Sequence, residues 1–186
     1  NNVARKTFWV KGSFYFVNSG GKHTEAMIPL LNIAEAKYSV EQGKPGEGYS
    51  RSEVILYGGS GAKSWLEYKY FTPTETSYMD VNVSGYISAD MGGAGWQAGN
   101  SISCIFYCSD LDTGKTTYKT MLCLYDRYLK WENWPWSYTY EKMNFIKGHR
   151  YVIGCELSVG TYTWIGWVHS KAHWTLNGIA IIPSVR

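Results

Sequence analysis

The sequence is poor in charge and contains no long apolar run. Lys, Arg, Asp and Glu make up 18% of the 186 residues, and the formal net charge is +3, whereas charged residues are roughly 25% of an average globular chain. The basic residues are scattered, which excludes the concentrated patch of a typical nucleic-acid binder. No segment approaches the roughly 18 to 20 apolar residues of a membrane-spanning helix. We therefore predict neither a nucleic-acid partner nor a membrane span.

Motifs of several enzyme and cofactor classes are also absent. The chain has no Gly-x-Ser-x-Gly nucleophile elbow, no phosphate-binding loop and no dinucleotide fingerprint. His169 and His173 have the spacing of two metal ligands on a helix, but in an extended strand they would lie about 13 Å apart. We therefore predict a protein that binds no cofactor and no metal.

What the sequence does contain is an abundance of aromatic residues and glycine, with 16 Tyr, 9 Trp and 20 Gly. Alternation with a period of two residues dominates and indicates half-buried strands, and Gly, Asn, Asp and Pro turns separate them. The Ala-Glu-Ala-Lys core of residues 32–41 also fits a short helix. The predicted strands are 7–17, 32–41, 53–57, 63–71, 77–88, 102–108, 116–124, 150–159, 162–169 and 175–183. About ten strands over residues 1–186 predict a single all-β domain, a two-sheet antiparallel sandwich that is jelly-roll-like.

The four cysteines, Cys104, Cys108, Cys123 and Cys155, are an even number, which is typical of an oxidising, extracellular setting. Cys104 and Cys108 lie four strand residues apart, about 13 Å, whereas a disulfide needs Cα atoms under about 7 Å apart. In a hairpin that turns near residues 112 and 113, Cys104 is one diagonal step from Cys123. We expect the bridges Cys104–Cys123 and, by elimination, Cys108–Cys155; four reduced core thiols are the alternative.

Residues 131–140 form the most unusual local feature, because three Trp and two Tyr surround a proline that disfavours a central strand. Aromatic rings on a loop can stack on sugars or anchor a protein interface. A loop that caps one end of the sandwich is the structural alternative. This aromatic segment consists of Trp131, Trp134, Trp136, Tyr138 and Tyr140.

Three smaller features suggest chemistry. Glu67 and Glu156, each on a predicted strand, could form the carboxyl pair of a glycosidase if a cleft brought them about 5 to 9 Å apart. The turn at Asp110 and Asp112 resembles the start of a calcium loop, although its sixth and twelfth positions lack the required Gly and Glu. Asn82 begins an Asn-Val-Ser triplet, which matches the acceptor pattern for N-glycosylation.

Apolar alternation at both ends of the chain is the pattern of a strand that can be donated to another copy. In residues 1–17, Phe8, Val10, Phe14 and Phe16 share one face, and residues 176–185 are a second candidate. An open sheet edge accepts such a strand, and head-to-tail donation generates a filament.

Three parts of the chain resemble a known protein family. They are the segment Gly148-His-Arg-Tyr-Val-Ile-Gly154, the Thr- and Tyr-rich strands after it, and the N-terminal pattern. They are similar to secreted β-sandwich subunits of archaeal surface filaments such as threads, bundling pili and cannulae. The resemblance implies non-enzymatic self-assembly by donor-strand complementation, with other copies of the chain as partners. We therefore expect a secreted, cell-surface filament subunit. The alternatives are a carbohydrate-binding module or lectin that uses the aromatic segment and binds glycans, and a jelly-roll glycosidase that uses Glu67 and Glu156.

Overall fold

The computed structural model describes residues 12–184, and within them the protein has nine strands and no helix. No helix capable of crossing a membrane therefore occurs in that range. The strands are β1 (Ser13–Tyr15), β2 (Ser19–Ala26), β3 (Asn32–Ser39), β4 (Gly46–Phe71), β5 (Ser77–Trp96), β6 (Gly99–Asp110), β7 (Lys115–Tyr125), β8 (Leu129–Phe145) and β9 (Tyr151–Pro183).

Two long strands, β4 and β9, bend and run through both sheets of a sandwich. Sheet I has the order β8-β5-β9-β4-β3 and uses residues 165–183 of β9 and 46–56 of β4. Sheet II has the order β7-β6-β9-β4-β2 and uses residues 151–163 of β9 and 58–71 of β4. Every pair is antiparallel, so the predicted jelly-roll-like, two-sheet antiparallel sandwich is confirmed.

A glycine and a buried asparagine fix the bend in β4. The register shifts between Leu56 and Gly58, where φ is 88° and 121°, values that favour glycine. A Cβ on Gly58 would lie 2.4 Å from Asn32 Oδ1. That oxygen accepts hydrogen bonds from the backbone N–H groups of Ile28 and Gly59, and the Asn32 amide donates back to the bend. These bonds hold β4 where it passes from sheet I to sheet II.

The space between the sheets is filled by an apolar core. Period-two alternation in the strands supplies it, since every second side chain faces the interior. The largest fully buried side chains are Trp174, Phe106, Phe145, Leu66, Met91, Ile102, Ile153, Leu157, Leu176, Ile179, Ile181 and Val17.

A band of hydroxyl groups also crosses the interior and joins the sheets. Ser50 Oγ of sheet I lies 3.0 Å from Ser64 Oγ of sheet II, and Ser52 Oγ lies 2.6 Å from Thr161 Oγ1. Trp174 Nε1 donates to Ser64 Oγ at 3.0 Å. Because these buried polar atoms are paired with one another, their desolvation is compensated by hydrogen bonds.

The strand boundaries differ from the predicted ones where strands bend. The predicted strands 53–57 and 63–71 belong to β4, and the last three predicted strands belong to β9. Residues 32–39 form strand β3 and not a helix, while β2 and β8 were missed. Glycines interrupt the alternation at the bends inside β4 and β9. In the sequence, such an interruption looks the same as the end of a strand. Pro135 is tolerated in β8 because β8 is an edge strand.

Both candidate donor segments are paired within the chain where the structure describes them. Residues 13–15, which include Phe14, pair with residues 179–181 of the same chain. Residues 176–183 of the C-terminal candidate lie inside sheet I, where β9 pairs with β5 on one side and with β4 and β1 on the other. Phe16 lies just beyond β1, and its ring packs against that of Phe14. Phe8 and Val10 lie outside the described residues.

The two expected disulfides are not formed, because all four thiols are free. Cys104 lies opposite Leu122 and faces the interior, whereas Cys123 is the next residue on β7 and faces outward. Cys108 and Cys155 face the interior one diagonal step apart, since Cys155 lies opposite Phe106. Diagonal neighbours are about 7 to 8 Å apart, beyond the reach of a disulfide. The thiols are reduced, as in the alternative, but only three of them lie in the core, since Cys123 is exposed.

Ellman's reagent should therefore react with one thiol of the native protein, that of Cys123, and with four after unfolding in guanidinium chloride. Burial raises the pKa of the Cys104 and Cys108 thiols to about 12, so neither supplies a reactive thiolate at neutral pH. Cys123→Ser serves as the control and should bring the native reading to zero. Fewer than four thiols after unfolding would show that a bridge exists.

Candidate functional site

The aromatic segment forms edge strand β8 and not a loop. Trp131 lies opposite Ala89 and Trp134 lies opposite Ile87, so β8 has one extra residue between them, next to Asn133 with φ 47°. This bulge shifts the alternation by one position, so all five rings point to the inner face of sheet I. Only Trp134, 51% exposed, remains widely accessible, and the rings form no flat outer platform for a glycan.

Four of the inward rings, all except that of Tyr140, line a pocket of about 230 Å³ at the seam between edge strands β7 and β8. The Trp131 and Trp134 rings stack with centroids 4.7 Å apart, and the Tyr140 ring stacks on Phe106 at 5.7 Å. Leu157 and other aliphatic side chains of sheet II complete the lining. The segment therefore packs as an edge strand along the seam between the sheets, and it is not the loop capping one end of the sandwich that the sequence left open.

A different surface, the outer face of sheet I, carries a groove made of three adjoining depressions of about 450, 340 and 410 Å³. The first and second share Tyr49 and His173, and the second and third share Asp90 and Lys171. Together they extend from β3 at one edge of the sheet to β8 at the other. Four strand spacings make this sheet I groove about 19 Å long.

A row of charged side chains crosses the middle of the sheet I groove. The strand register places Glu35, Arg51, Lys171, Asp90 and Lys130 opposite one another on five successive strands. Residues directly opposite each other point to the same face, so the row lies across the groove floor and its charges meet as neighbours.

Ion pairs hold three members of that row, Glu35, Arg51 and Asp90, in place. The Arg51 guanidinium lies 3.3 Å from Glu35 Oε1 and 3.0 Å from Glu53 Oε2. Burial opposes the charge on Arg51, but the hydrogen bond and charge of Glu53 and the charge of Glu35 together raise its pKa above the usual value. On the neighbouring strands, His169 Nε2 lies 2.9 Å from Asp90 Oδ1. Side chains fixed in this way are ordered before any ligand arrives.

Two aromatic residues stand beside the charged row. Trp167 is 52% exposed, and its Nε1 donates to Glu53 Oε1 at 3.1 Å. Its ring centroid lies 5.1 Å from that of His169. Tyr49 lies under the Lys37 ammonium, 6.0 Å from ring centroid to Nζ. The groove thus offers accessible aromatic surface next to fixed hydrogen-bonding groups.

Glu67 and Glu156 come together on the outer face of sheet II, away from the groove. Glu67 lies opposite Gly154 and Glu156 lies opposite Trp65, which makes the two acids diagonal neighbours about 7 to 8 Å apart. Glu67 is only 7% exposed and accepts a hydrogen bond of 2.6 Å from the Tyr107 hydroxyl. A carboxylate so enclosed is poorly placed to attack a sugar, and Glu67 instead joins β4 to β6 through its bond with Tyr107.

The acidic turn after β6 is held by the protein's own donors. Asp110, Asp112 and His149 bring their ligand atoms within 4.8 Å of one another. Asp110 accepts from the N–H groups of Asp112 and Thr113 and lies 2.8 Å from His149 Nδ1, and Asp112 accepts from Arg150 N–H. Burial opposes ionisation of Asp110, but these bonds outweigh it and lower its pKa. The arrangement is that of a stabilised turn.

The Asn82 side chain is engaged between β5 and β8. Its Nδ2 donates to Thr139 Oγ1 at 2.9 Å, to Ser137 Oγ at 3.1 Å and to the Tyr138 carbonyl at 3.3 Å. A glycan attached to this nitrogen would disrupt these side-chain contacts between β5 and edge strand β8.

Sequence reasoning missed the groove, although its residues leave a signal. Tyr49, Arg51 and Glu53 alternate with buried serines on β4, and Trp167, His169 and Lys171 alternate with small or apolar residues on β9. Charged and aromatic side chains on every second position mark an outward face with hydrogen-bonding capacity. The register that brings the two strands side by side is not visible in the sequence.

No family model matches the chain, and no curated protein matches it. Among solved structures, the family 11 carbohydrate-binding module of the cellulase Lic26A-Cel5E of Clostridium thermocellum is 6% identical, with a TM-score of 0.36 and coverage of 94% of this chain and 96% of that one. TmCBM61, solved with β-1,4-galactotriose, is 8% identical, with a TM-score of 0.31 and 88% coverage of both chains. A xylan-binding domain, CBM 22, is 13% identical, with a TM-score of 0.27 and coverage of 94% and 95%. Values this low carry no argument about a ligand.

The expectation of a self-assembling filament subunit is wrong. The described parts of the strands assigned to donation are paired inside the chain, so sheet I is completed by the chain's own β9. Apolar alternation at a chain end marks a buried strand, and it does not tell whether the partner strand belongs to the same chain.

Proposed function

We propose that this protein is a carbohydrate-binding module that holds a glycan in the sheet I groove. The observation that carries the proposal is the groove itself, in which half-exposed Trp167 and partly buried Tyr49 flank the ion pairs Arg51–Glu53 and Asp90–His169. Sugars present apolar C–H faces and a rim of hydroxyl groups. Aromatic rings cover the faces, and fixed charged groups hydrogen-bond to the hydroxyls.

Binding benefits because the groove is already ordered. The Trp167 indole is held by Glu53, which is held by Arg51, which is held in turn by Glu35. Groups locked by such contacts lose little conformational entropy when a ligand binds. Oxygen atoms that are not used within the pairs remain available for hydroxyl groups.

We further propose that the protein is secreted and has no enzymatic activity. The carboxylates best placed to act are occupied, since Asp90 pairs with His169 and Glu67 is enclosed by Tyr107. Incubation with a polysaccharide that it binds should release no reducing ends. Release of reducing ends that is lost in Glu67→Gln would contradict this part of the proposal.

Trp167→Ala should weaken binding of the protein's polysaccharide at least tenfold, because a half-exposed aromatic ring beside the fixed charged row of a binding surface carries a large share of the binding energy. Affinity gel electrophoresis on a panel of soluble polysaccharides measures this directly. Tyr118→Ala is the matched control, since Tyr118 is 69% exposed but lies on β7 of sheet II.

Trp134→Ala distinguishes glycan binding in the sheet I groove from glycan binding at the seam between β7 and β8. Binding lost in Trp134→Ala and kept in Trp167→Ala would move the glycan to β8. No binding by the unmodified protein to any polysaccharide would overturn the proposed function.

A further inference from the structure

We propose that the sheet I groove selects internal segments of an uncharged, linear polysaccharide. The inference rests on the proposed glycan-binding function and names its ligand class. Two features of the groove carry it, the balance of its charges and the absence of loop residues from its walls.

The charges along the groove nearly cancel. Its lining contains five carboxylates, four Lys or Arg side chains and two histidines. Three of the carboxylates, those of Glu35, Glu53 and Asp90, are within 3.3 Å of Arg51 or His169. A sugar with its own carboxylate would bring in a charge for which the groove has no surplus of cations, and a desolvated charge without a partner is costly.

Lys130 and Lys171 do not form an anion site. Lys130 and Lys171 both lie opposite Asp90, one on each neighbouring strand. An anionic group placed between them would sit over the Asp90 carboxylate and be repelled by it. Uncharged hydroxyl groups can instead donate to Asp90 and accept from either lysine, because a hydroxyl has both a donor and acceptor lone pairs.

The walls of the groove are built from strands alone. Every lining residue of its three depressions belongs to β3, β4, β5, β8 or β9. The first depression reaches β3 and the second reaches β8, the two edge strands of sheet I. No loop residue closes either end within the described chain, so a polymer can enter at one edge of the sheet and leave at the other.

The test compares neutral and anionic polymers. Probes are mixed-linked β-glucan, xylan and β-1,4-galactan against polygalacturonate and alginate, with binding measured by calorimetry in 50 mM and 500 mM NaCl. At least one neutral polymer should bind, with a Kd that changes less than twofold between the two salt concentrations, because screening acts on charge attraction. The anionic polymers should bind at least tenfold more weakly.

Oligosaccharides of the bound polymer test whether the groove recognises the end of a polysaccharide chain. Affinity should rise with length until the groove is filled, and borohydride reduction of the terminal sugar should leave the affinity of long oligosaccharides unchanged. Loss of binding on reduction would mean that the groove recognises an end, which contradicts the proposal.

Asp90→Asn tests the charge argument inside the groove. Removing this carboxylate leaves Lys130 and Lys171 without their shared counter-charge, so polygalacturonate binding should strengthen at least threefold in 50 mM NaCl. Glu75→Gln is the control for net charge, because Glu75 is exposed in the β4–β5 connection and does not line the groove.

The outcomes are distinguishable. Tightest binding to polygalacturonate or alginate, weakened by salt, would overturn this inference and leave the glycan-binding function standing. No binding to any of the five polymers would overturn both.

Discussion

Trp174→Ala should destabilise the protein by about 3 to 5 kcal/mol, the range observed when a large aromatic side chain is removed from a core. Trp174 is 1% exposed, and it bridges the two sheets because its Nε1 donates to Ser64 Oγ. The truncation removes the ring contacts and also one hydrogen-bond partner of a buried hydroxyl. The free energy of unfolding from urea titrations, with the m-value compared between variants, measures the effect.

Two further variants make this result specific. Trp174→Phe keeps most of the ring and loses the hydrogen bond, so it should cost about 1 to 2 kcal/mol. Trp164→Ala removes the same side chain from a site that is 63% exposed and should stay within about 0.5 kcal/mol of the unmodified protein. An equal cost for Trp174→Ala and Trp164→Ala would contradict the inter-sheet role.

Arg51→Ala should cost about 2 to 3 kcal/mol and also weaken glycan binding. The variant leaves Glu53, whose side chain is 11% exposed, without its cation, and a carboxylate so enclosed needs a partner. We expect a smaller loss of stability than for a fully buried ion pair, because the Arg51 side chain is 32% exposed and partly screened by water. Trp167 also loses the fixed carboxylate that holds its indole.

A second substitution tests the cause. Adding Glu53→Gln to Arg51→Ala removes the unpaired charge and should restore at least half of the lost stability, as a double-mutant cycle would measure. Lys44→Ala is the control, since Lys44 and Glu41 form an exposed pair and should contribute within about 0.5 kcal/mol. No recovery in the double variant would mean that the loss comes from the Arg51 packing contacts.

The groove and the aromatic segment show where sequence reasoning reached its limit. The three Trp residues of β8 were noticed because they cluster in the chain, yet one extra residue beside Asn133 turns all of them inward. Trp167 and Tyr49 are 118 residues apart, and the register of β9 on β4 brings their strands together. A cluster in sequence is visible directly, whereas a cluster in space needs the strand order.

The cysteines illustrate the same limit at the scale of one residue. Placing Cys104 near Cys123 was sound, since their strands do pair, but Cys123 lies opposite Ser103 and not on the face that Cys104 uses. The register shift between Cys104 and Ile105 is a local feature of the β6–β7 ladder. A shift of one residue moves every later side chain to the other face, and no pattern of alternation on one strand reports it.

The sequence by itself determined that this chain forms an antiparallel β-sandwich, because period-two alternation and turn residues act locally and each strand carries its own signal. Only the tertiary structure decided which strands bend through both sheets, which ends pair within the chain and which outward side chains meet in the sheet I groove. Those outcomes depend on strand order and register, which are set by contacts between residues far apart in the chain.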